Sequence, residues 1–330
     1  MDLIVDAALI VILAIVIDAV IGEVPNAIHP LRWIGNTVSF LDRHIKRTSK
    51  TATRIKGFLS YMFVLLLFGT VALLILALVR HYLGEWAWII VSAFFFKVTF
   101  AVFSFRRHCK PIQQDLRNGD LDAAAAKTQM IVSRNTKGMD AEHIASSCTE
   151  TITENLVDSV VSPTTYFGLL GMPGAIMFRC ANLMDAMWGY LNEKFGNLGF
   201  FVAKLDDVLG FIGSRISIVF VTITAMILGM DWRSVIPMAR AGKNLTPSPN
   251  SSWSMVACAA ALGIRMEKKG VYVMGKGEMP TVDDITRCYH LVELTSIIFI
   301  LLVTLPLFAF IGVHVQLFFE DALLMFGGLI

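Results

Sequence analysis

Charge is scarce in this chain: 16% of its 330 residues are Asp, Glu, Lys or Arg, and 55% are hydrophobic. An ordinary soluble domain carries about 25% charged residues. The net charge is only +2, which excludes a broad basic surface for nucleic acid. Five cysteines, Cys109, Cys148, Cys180, Cys258 and Cys288, are scattered without a CxxC pair. That excludes a zinc ribbon or a thioredoxin-like motif and leaves them as small buried hydrophobes. The seven histidines form no HExxH motif, which removes the zincin class. GKGEMP from Gly275 lacks the spacing of a Walker A loop, so a nucleotide would be held by another device. Between Arg106 and Asp158 no period-two alternation is long enough to propose a sheet.

What is present is apolar length. Leu3–Ile21, Phe58–Val79, Trp86–Phe105 and Leu291–Val313 each approach or exceed the roughly 20 residues that span a bilayer core. These are the four expected transmembrane helices. Asp2 and Asp6 stand where a signal peptide would be basic, so the first run is expected to remain as a helix. Arg32, Arg43, Lys46, Arg47, Lys50, Arg54 and Lys56 follow it, which places that loop in the cytoplasm by positive-inside counting. Arg106, Arg107 and Lys110 put the segment after the third run on the same side.

The fold class expected is all-α: a polytopic integral membrane protein of the cell membrane, with about four transmembrane helices, broken or re-entrant helices, and cytoplasmic helical segments. Residues 1–105 hold the N-terminal membrane helices and the basic loop. Residues 106–159 form a cytoplasmic helical segment, with a helix expected to start near Asp140. Residues 160–230 read as a membrane-associated, broken-helix core, because Pro163, Gly168, Gly171, Pro173 and Gly174 interrupt it. Residues 231–290 are a cytoplasmic loop, and 291–330 the C-terminal membrane region. If neither 160–179 nor 211–230 crosses fully, the polar groups of this middle region open onto one cytoplasmic pocket, and that arrangement is expected.

Four polar constellations stand out. Glu150, Glu154 and Asp158 recur every four residues, a spacing that puts them on one helical face with Asn155 beside them. Clustered acids repel unless a cation lies between them, which points to a divalent metal or a cationic substrate; a solvated helix face is the plainer explanation. Arg134, Asn135 and Thr136 precede them. Asn182 and Asp185 are followed by Lys204, Asp206 and Asp207, of which the last two could simply cap a helix. Arg215 lies in an apolar run where an ionised group is costly. Ser248, Pro249 and Asn250 close the series.

These motifs, in this order, resemble the CobD/CbiB family of cobalamin-biosynthesis proteins, the adenosylcobinamide-phosphate synthases, over nearly the whole chain. SRNT at 133–136 resembles the family's GRDT, and Glu150, Glu154, Asn155, Asp158, Val161 and Pro163 its E..AEN..D..V.P. GMPGAIMFRCANLMDAMWGY from Gly171, AKLDD at 203–207 and SPNSSW from Ser248 resemble three further motifs. Asp18, Gly22, Pro25, His29-Pro30 and Gly35 are similar to the N-terminal one. Asn135, Lys204, Leu183 and Thr246 depart from the family's Asp, Arg, Thr and His, and Glu23-Val24 from its acid-Pro.

The resemblance implies an ATP- and Mg2+-dependent ligation in which the carboxylate of adenosylcobyric acid is activated as an acyl phosphate. The amine of an aminopropanol phosphate then captures it to give adenosylcobinamide phosphate. On that basis Glu150, Glu154 and Asp158 are expected as metal ligands and, with Asp185 and His29, as catalytic groups. Arg134, Asn135, Thr136, Asn155, Arg179, Asn182, Lys204, Asp206, Asp207, Arg215, Ser248 and Asn250 are expected to bind substrate or phosphate. The implied partners are adenosylcobyric acid, aminopropanol phosphate, ATP, membrane lipid and other membrane-associated cobalamin-assembly enzymes. Two rival classes share these features. A membrane prenyltransferase also holds Mg2+-pyrophosphate on acidic helix faces, and a transporter also uses intramembrane acids, although no internal repeat supports the latter.

Overall fold

The computed structural model describes residues 2–25, 27 and 29–329. In chain order the elements are α1 (Leu3–Val20), α2 (Pro30–His44), α3 (Lys50–Leu83), α4 (Glu85–Lys97), α5 (Ser104–Arg117), α6 (Leu121–Gln129) and α7 (Ala141–Leu156). After a π-type turn at Val157–Val161 come α8 (Ser162–Leu170), α9 (Met172–Trp188), α10 (Phe200–Ile227), α11 (Trp232–Ala241) and α12 (Ser251–Leu262). A hairpin of β1 (Arg265–Lys268) and β2 (Tyr272–Gly275) leads to α13 (Val282–Phe299), α14 (Leu305–Leu307) and α15 (Val313–Phe326), the last three joined by two further π segments. The protein is an all-α polytopic membrane protein.

Four stretches are long and apolar enough to cross a membrane: Leu3–Val20, Lys50–Leu83, Phe200–Ile227 and Val282–Phe326. Three coincide with expected spans, and the other two assignments need correcting. Trp86–Phe105 is not one helix, because α4 is a 13-residue helix ending at Lys97, only about 20 Å long. Conversely, α10 runs unbroken for 28 residues where a re-entrant segment was expected. The interruptions seen in the sequence fall earlier, and Gly171, at φ +66°, makes the turn from α8 to α9 that a side chain would strain. The loop expected at 231–290 is folded into α11, α12 and the antiparallel hairpin, whose four-residue strands are too short to show alternation.

The chain divides into two compact units. The first contains 1–101, 162–209 and 300–330; the second contains 102–161 and 210–299. In the first, α1 packs on α4, and α3 packs on α4, α9 and α15. Phe167 stacks between Phe96 and Phe308 at its core. Small residues let backbones touch, as membrane helices require: a Cβ on Gly312 would sit 2.5 Å from the carbonyl oxygen of Gly168. In the second unit, α7 is enclosed by α12, α13 and β1. Its buried threonines are satisfied within the helix, Thr149 donating to the Ala145 carbonyl at 3.1 Å and Thr153 to that of Thr149 at 2.9 Å, so these two cost little there.

α4 ends at a buried ion pair. Lys97 Nζ lies 2.9 Å from Asp18 Oδ1 on α1, with both side chains buried. Removing one partner of such a pair strands the other charge. Asp18→Asn should therefore destabilise the protein by about 3–5 kcal/mol, whereas adding Lys97→Met should restore much of the loss. Thermal unfolding in detergent measures both, and equal melting of the single and double variants would contradict the assignment.

Candidate functional site

The second unit encloses a polar cavity of about 360 Å3, walled by the 131–134 loop, α7, the 246–251 segment and the hairpin. Its organising group is Glu150, which is 1% exposed. Arg134 clasps it with both terminal nitrogens, one donating at 3.0 Å to Oε1 and the other at shorter range to Oε2. Ser146 Oγ donates to Oε1 at 2.9 Å, and Tyr272 Oη to Oε2 at 2.6 Å. Ser146 also accepts from the backbone N–H of Glu267 at 2.8 Å, fastening the hairpin to α7. Burial would lower the pKa of Arg134, but Glu150 outweighs it and moves it up; burial and then Glu150 raise that of Tyr272. The guanidinium stays charged and the phenol stays neutral.

Glu154, one turn further along α7, also lines the cavity. Its carboxylate forms no hydrogen bond or ion pair among the described residues. Solvent reaches it through the cavity mouth, although protein crowds it from most sides. That crowding comes first in raising its pKa, with Glu150 adding to it and Lys268 and Arg134 opposing. Because water still reaches the group, the accompanying loss of stability is modest.

Asp158 does not line the cavity. The four-residue spacing assumed a continuous α-helix, whereas a π turn begins at Val157 and shifts the residues after it around the axis. Among the described residues no group of three His, Cys, Asp or Glu side chains could hold a metal, so the three-carboxylate centre is not formed. What remains suits a metal brought in with a nucleotide, because Mg2+ takes one or two carboxylates and fills its other positions with phosphate and water. Glu154 offers such a hard oxygen ligand, and Arg134 and Lys268 flank the same cavity.

The other expected residues separate by environment. Ser248 and Asn155 line the cavity, Asn155 held by its donation to the Thr151 carbonyl at 2.9 Å. Thr136 is buried and pins the loop, donating to the Ala125 carbonyl at 2.7 Å. Asn135 is a turn residue, accepting from the backbone N–H of Lys137 at 3.0 Å. Neither lines the cavity. Arg215 grips the protein's own SPN loop. Its Nη1 donates to Asn250 Oδ1 at 2.7 Å and Ser214 Oγ at 2.8 Å, its Nη2 to the Pro249 carbonyl at 3.1 Å, and its guanidinium lies over the rings of Phe211 and Trp253. Arg215, expected at phosphate, holds the SPN loop in this structure, and this is how α10 carries an arginine cheaply.

The first unit holds the remainder. Arg179 bonds Asn182, which donates to Asp206 at 3.3 Å. Asp206 and Asp207 lie inside α10 and cap no helix. Lys204 is exposed and pairs with Asp207 at 3.2 Å. Asp185 lies on α9, half-buried, with Asp207 near enough to add to the effect of burial on its carboxyl. His29 caps α2, Nδ1 accepting from the Leu31 N–H at 3.2 Å. Burial, then Lys97 and Arg179, lower its pKa, so it is a neutral cap.

The chain matches the CobD/Cbib protein family over residues 11–301. It belongs to the CobD/CbiB family. A probable cobalamin biosynthesis protein CobD of Methanocaldococcus jannaschii is 35% identical, the match covering 90% of this chain and 97% of the relative. Counterparts with the same description are 38% identical in Methanothermobacter thermautotrophicus, over 81% of this chain and 86% of the relative, and 33% identical in Pyrococcus furiosus, over 90% and 97%. No solved structure matches. The ordered motifs at 133–136, 150–163, 171–190, 203–207 and 248–253 therefore identified the family correctly. Ser146, Thr246, Ser251, Lys268 and Tyr272 were missed as site residues. Lys268 and Tyr272 sit in a hairpin that periodicity did not show, and Thr246 registered only as a departure from the family's His.

Two tests follow from this geometry. A carboxyl whose folded pKa is raised destabilises the native state as pH rises from the ordinary glutamate value through the raised one. Glu154→Gln should therefore melt higher than wild type at neutral pH, with the advantage vanishing near pH 4; an advantage constant across pH would refute the crowding of Glu154. For the SPN loop, Arg215→Ala should speed hydrogen exchange at 246–253 and leave α7 protected. Unchanged exchange there would show that Arg215 does not hold the loop.

Proposed function

We propose that the chain acts in cobalamin biosynthesis as an ATP- and Mg2+-dependent ligase joining adenosylcobyric acid to (R)-1-amino-2-propanol O-phosphate. Its membership in a family of cobalamin-biosynthesis proteins supports the pathway. The observation that carries the chemistry is Glu154, a carboxylate without a partner among the described residues, in a polar cavity that also holds Arg134 and Lys268.

Phosphoryl transfer demands positioning and charge neutralisation more than covalent help from the protein. Here Lys268 can face phosphate oxygens, and Arg134, fixed by Glu150, contributes a charge that cannot titrate away. α12 begins at Ser251, with no side-chain hydrogen bond capping its first turn at Asn250. Since Ser251 lines the cavity, the leading N–H groups of α12, ahead of that of Trp253, which donates to the Asn250 carbonyl, offer a seat for an anion. Thr246 and Ser248 are hydroxyl-bearing residues of the same wall. When bound, Mg2+ would be held by Glu154 together with nucleotide phosphates, and it would supply Lewis-acid neutralisation of the transferring group.

The bond changes balance without any further reagent. A corrinoid carboxylate oxygen attacks the γ-phosphorus, ADP leaves and an acyl phosphate forms. The amine nitrogen then attacks the acyl carbon, inorganic phosphate departs, and the ammonium proton passes to a base. At about 360 Å3 the cavity suits nucleotide phosphates or the small phosphorylated amine, and it is too small for a corrinoid macrocycle.

Glu154→Gln keeps the shape and removes the charge, so it should lower turnover by about 10²-fold or more while folding and membrane insertion persist. ATP-dependent formation of adenosylcobinamide phosphate by the purified protein is the assay; wild-type turnover in Glu154→Gln would overturn the site assignment.

A further inference from the structure

The first unit contains a second cavity of about 380 Å3 that the ligase chemistry leaves unused. Leu67, Val71 and Ile75 form one wall, recurring every four residues along α3 and therefore on one face; all three are exposed, as is Phe94 on α4. Met172 and Ile176 of α9 close the inner side. A hollow lined this way does not hold water, which needs polar partners. Left empty, it would cost its walls their dispersion contacts. Because α3 is long and apolar enough to cross a membrane, what borders its exposed face is hydrocarbon.

One end of the lining is different. Among the described lining residues Arg179 alone is charged; the Thr99 hydroxyl donates to the Phe96 carbonyl at 2.7 Å and the Trp33 indole N–H to the Ala27 carbonyl at 3.3 Å. Burial first, and after it Lys97 and Arg179, lower the pKa of His29 at this end; Lys97 is itself paired with Asp18, so Arg179 is the cation that the lining presents. α2 starts beside it. That helix presents Trp33 and Phe40 outward, with Arg32 and Arg43 on the same short element, the pattern of a helix lying at the membrane interface.

We infer that this cavity is a binding site for an anionic membrane phospholipid, one acyl chain filling the hollow and the headgroup phosphate meeting Arg179. Charge complementarity selects the headgroup, because a guanidinium at the end of an apolar slot favours a phosphodiester lacking its own cation over a zwitterion. The site is separate from the ligase cavity, whose lining shares no residue with it.

The test is native mass spectrometry of the full chain released from nanodiscs containing equal amounts of phosphatidylglycerol and phosphatidylcholine. Wild type should retain phosphatidylglycerol preferentially. Arg179→Gln should reduce that preference on the order of fivefold, the value of one cation close to an anionic surface, and leave chain occupancy intact. Ala72→Phe, which fills the hollow, should reduce retention of both lipids; Ala72→Leu serves if the larger residue unfolds the chain, as judged by melting. Equal retention of both lipids by wild type would overturn the proposal. So would Ala72 variants that bind lipid as wild type does, or release of the lipid by adenosylcobyric acid, which would give the cavity to substrate. Lipid retention is read without turnover, so failure here leaves the ligase assignment standing.

Discussion

A single buried carboxylate organises the second unit. Glu150 brings three donors from separate segments to one point: Arg134 from a loop, Ser146 from its own helix, and Tyr272 from the hairpin. A carboxylate out of water is tolerable only when paired and hydrogen-bonded, so the loop and the hairpin must come to α7 or the acid cannot be buried. The cavity is the space those segments leave on assembling. Glu154 then owes its character to the same bond set, because Arg134 is committed to Glu150 and the next acid along the helix has no ion-pair partner among the described residues.

The sequence showed the parts of this protein whose cause is local. Apolar runs gave α1, α3 and the C-terminal span, and Asp140 gave the start of α7, where its side chain accepts from the His143 N–H. The motif order gave the family. It also picked Arg134, Glu150, Glu154, Asn155 and Ser248, all of which line one cavity. All five cysteines are buried thiols, as their scatter suggested.

What escaped has its cause elsewhere in the chain. α4 ends at Lys97, which pairs with Asp18 on α1, and hydropathy does not register such a partner. α10 looked broken because Asp206, Asp207 and Arg215 are each expensive in lipid, yet Asn182 bonds Asp206, Lys204 pairs with Asp207, and two aromatic rings with the SPN loop accommodate Arg215. A per-residue insertion cost assumes an isolated helix, so it fails where the partner is already built. His29, singled out in the sequence for its chemistry, sits as the cap of α2 in this structure.

The π turn at Val157–Val161 matters beyond the acid it displaces. An extra residue in one turn uncouples the angular phase of the helix before it from that of the helix after it. Up to Leu156 the phase is set by the glutamates that must meet the cavity; from Ser162 it is set by Gly168 and Gly171, whose missing side chains admit the backbone and side chains of the C-terminal segment. The turn acts as a universal joint in the sequence code. Substitutions on one side can be selected for chemistry and on the other for helix packing, with neither register constraining the other.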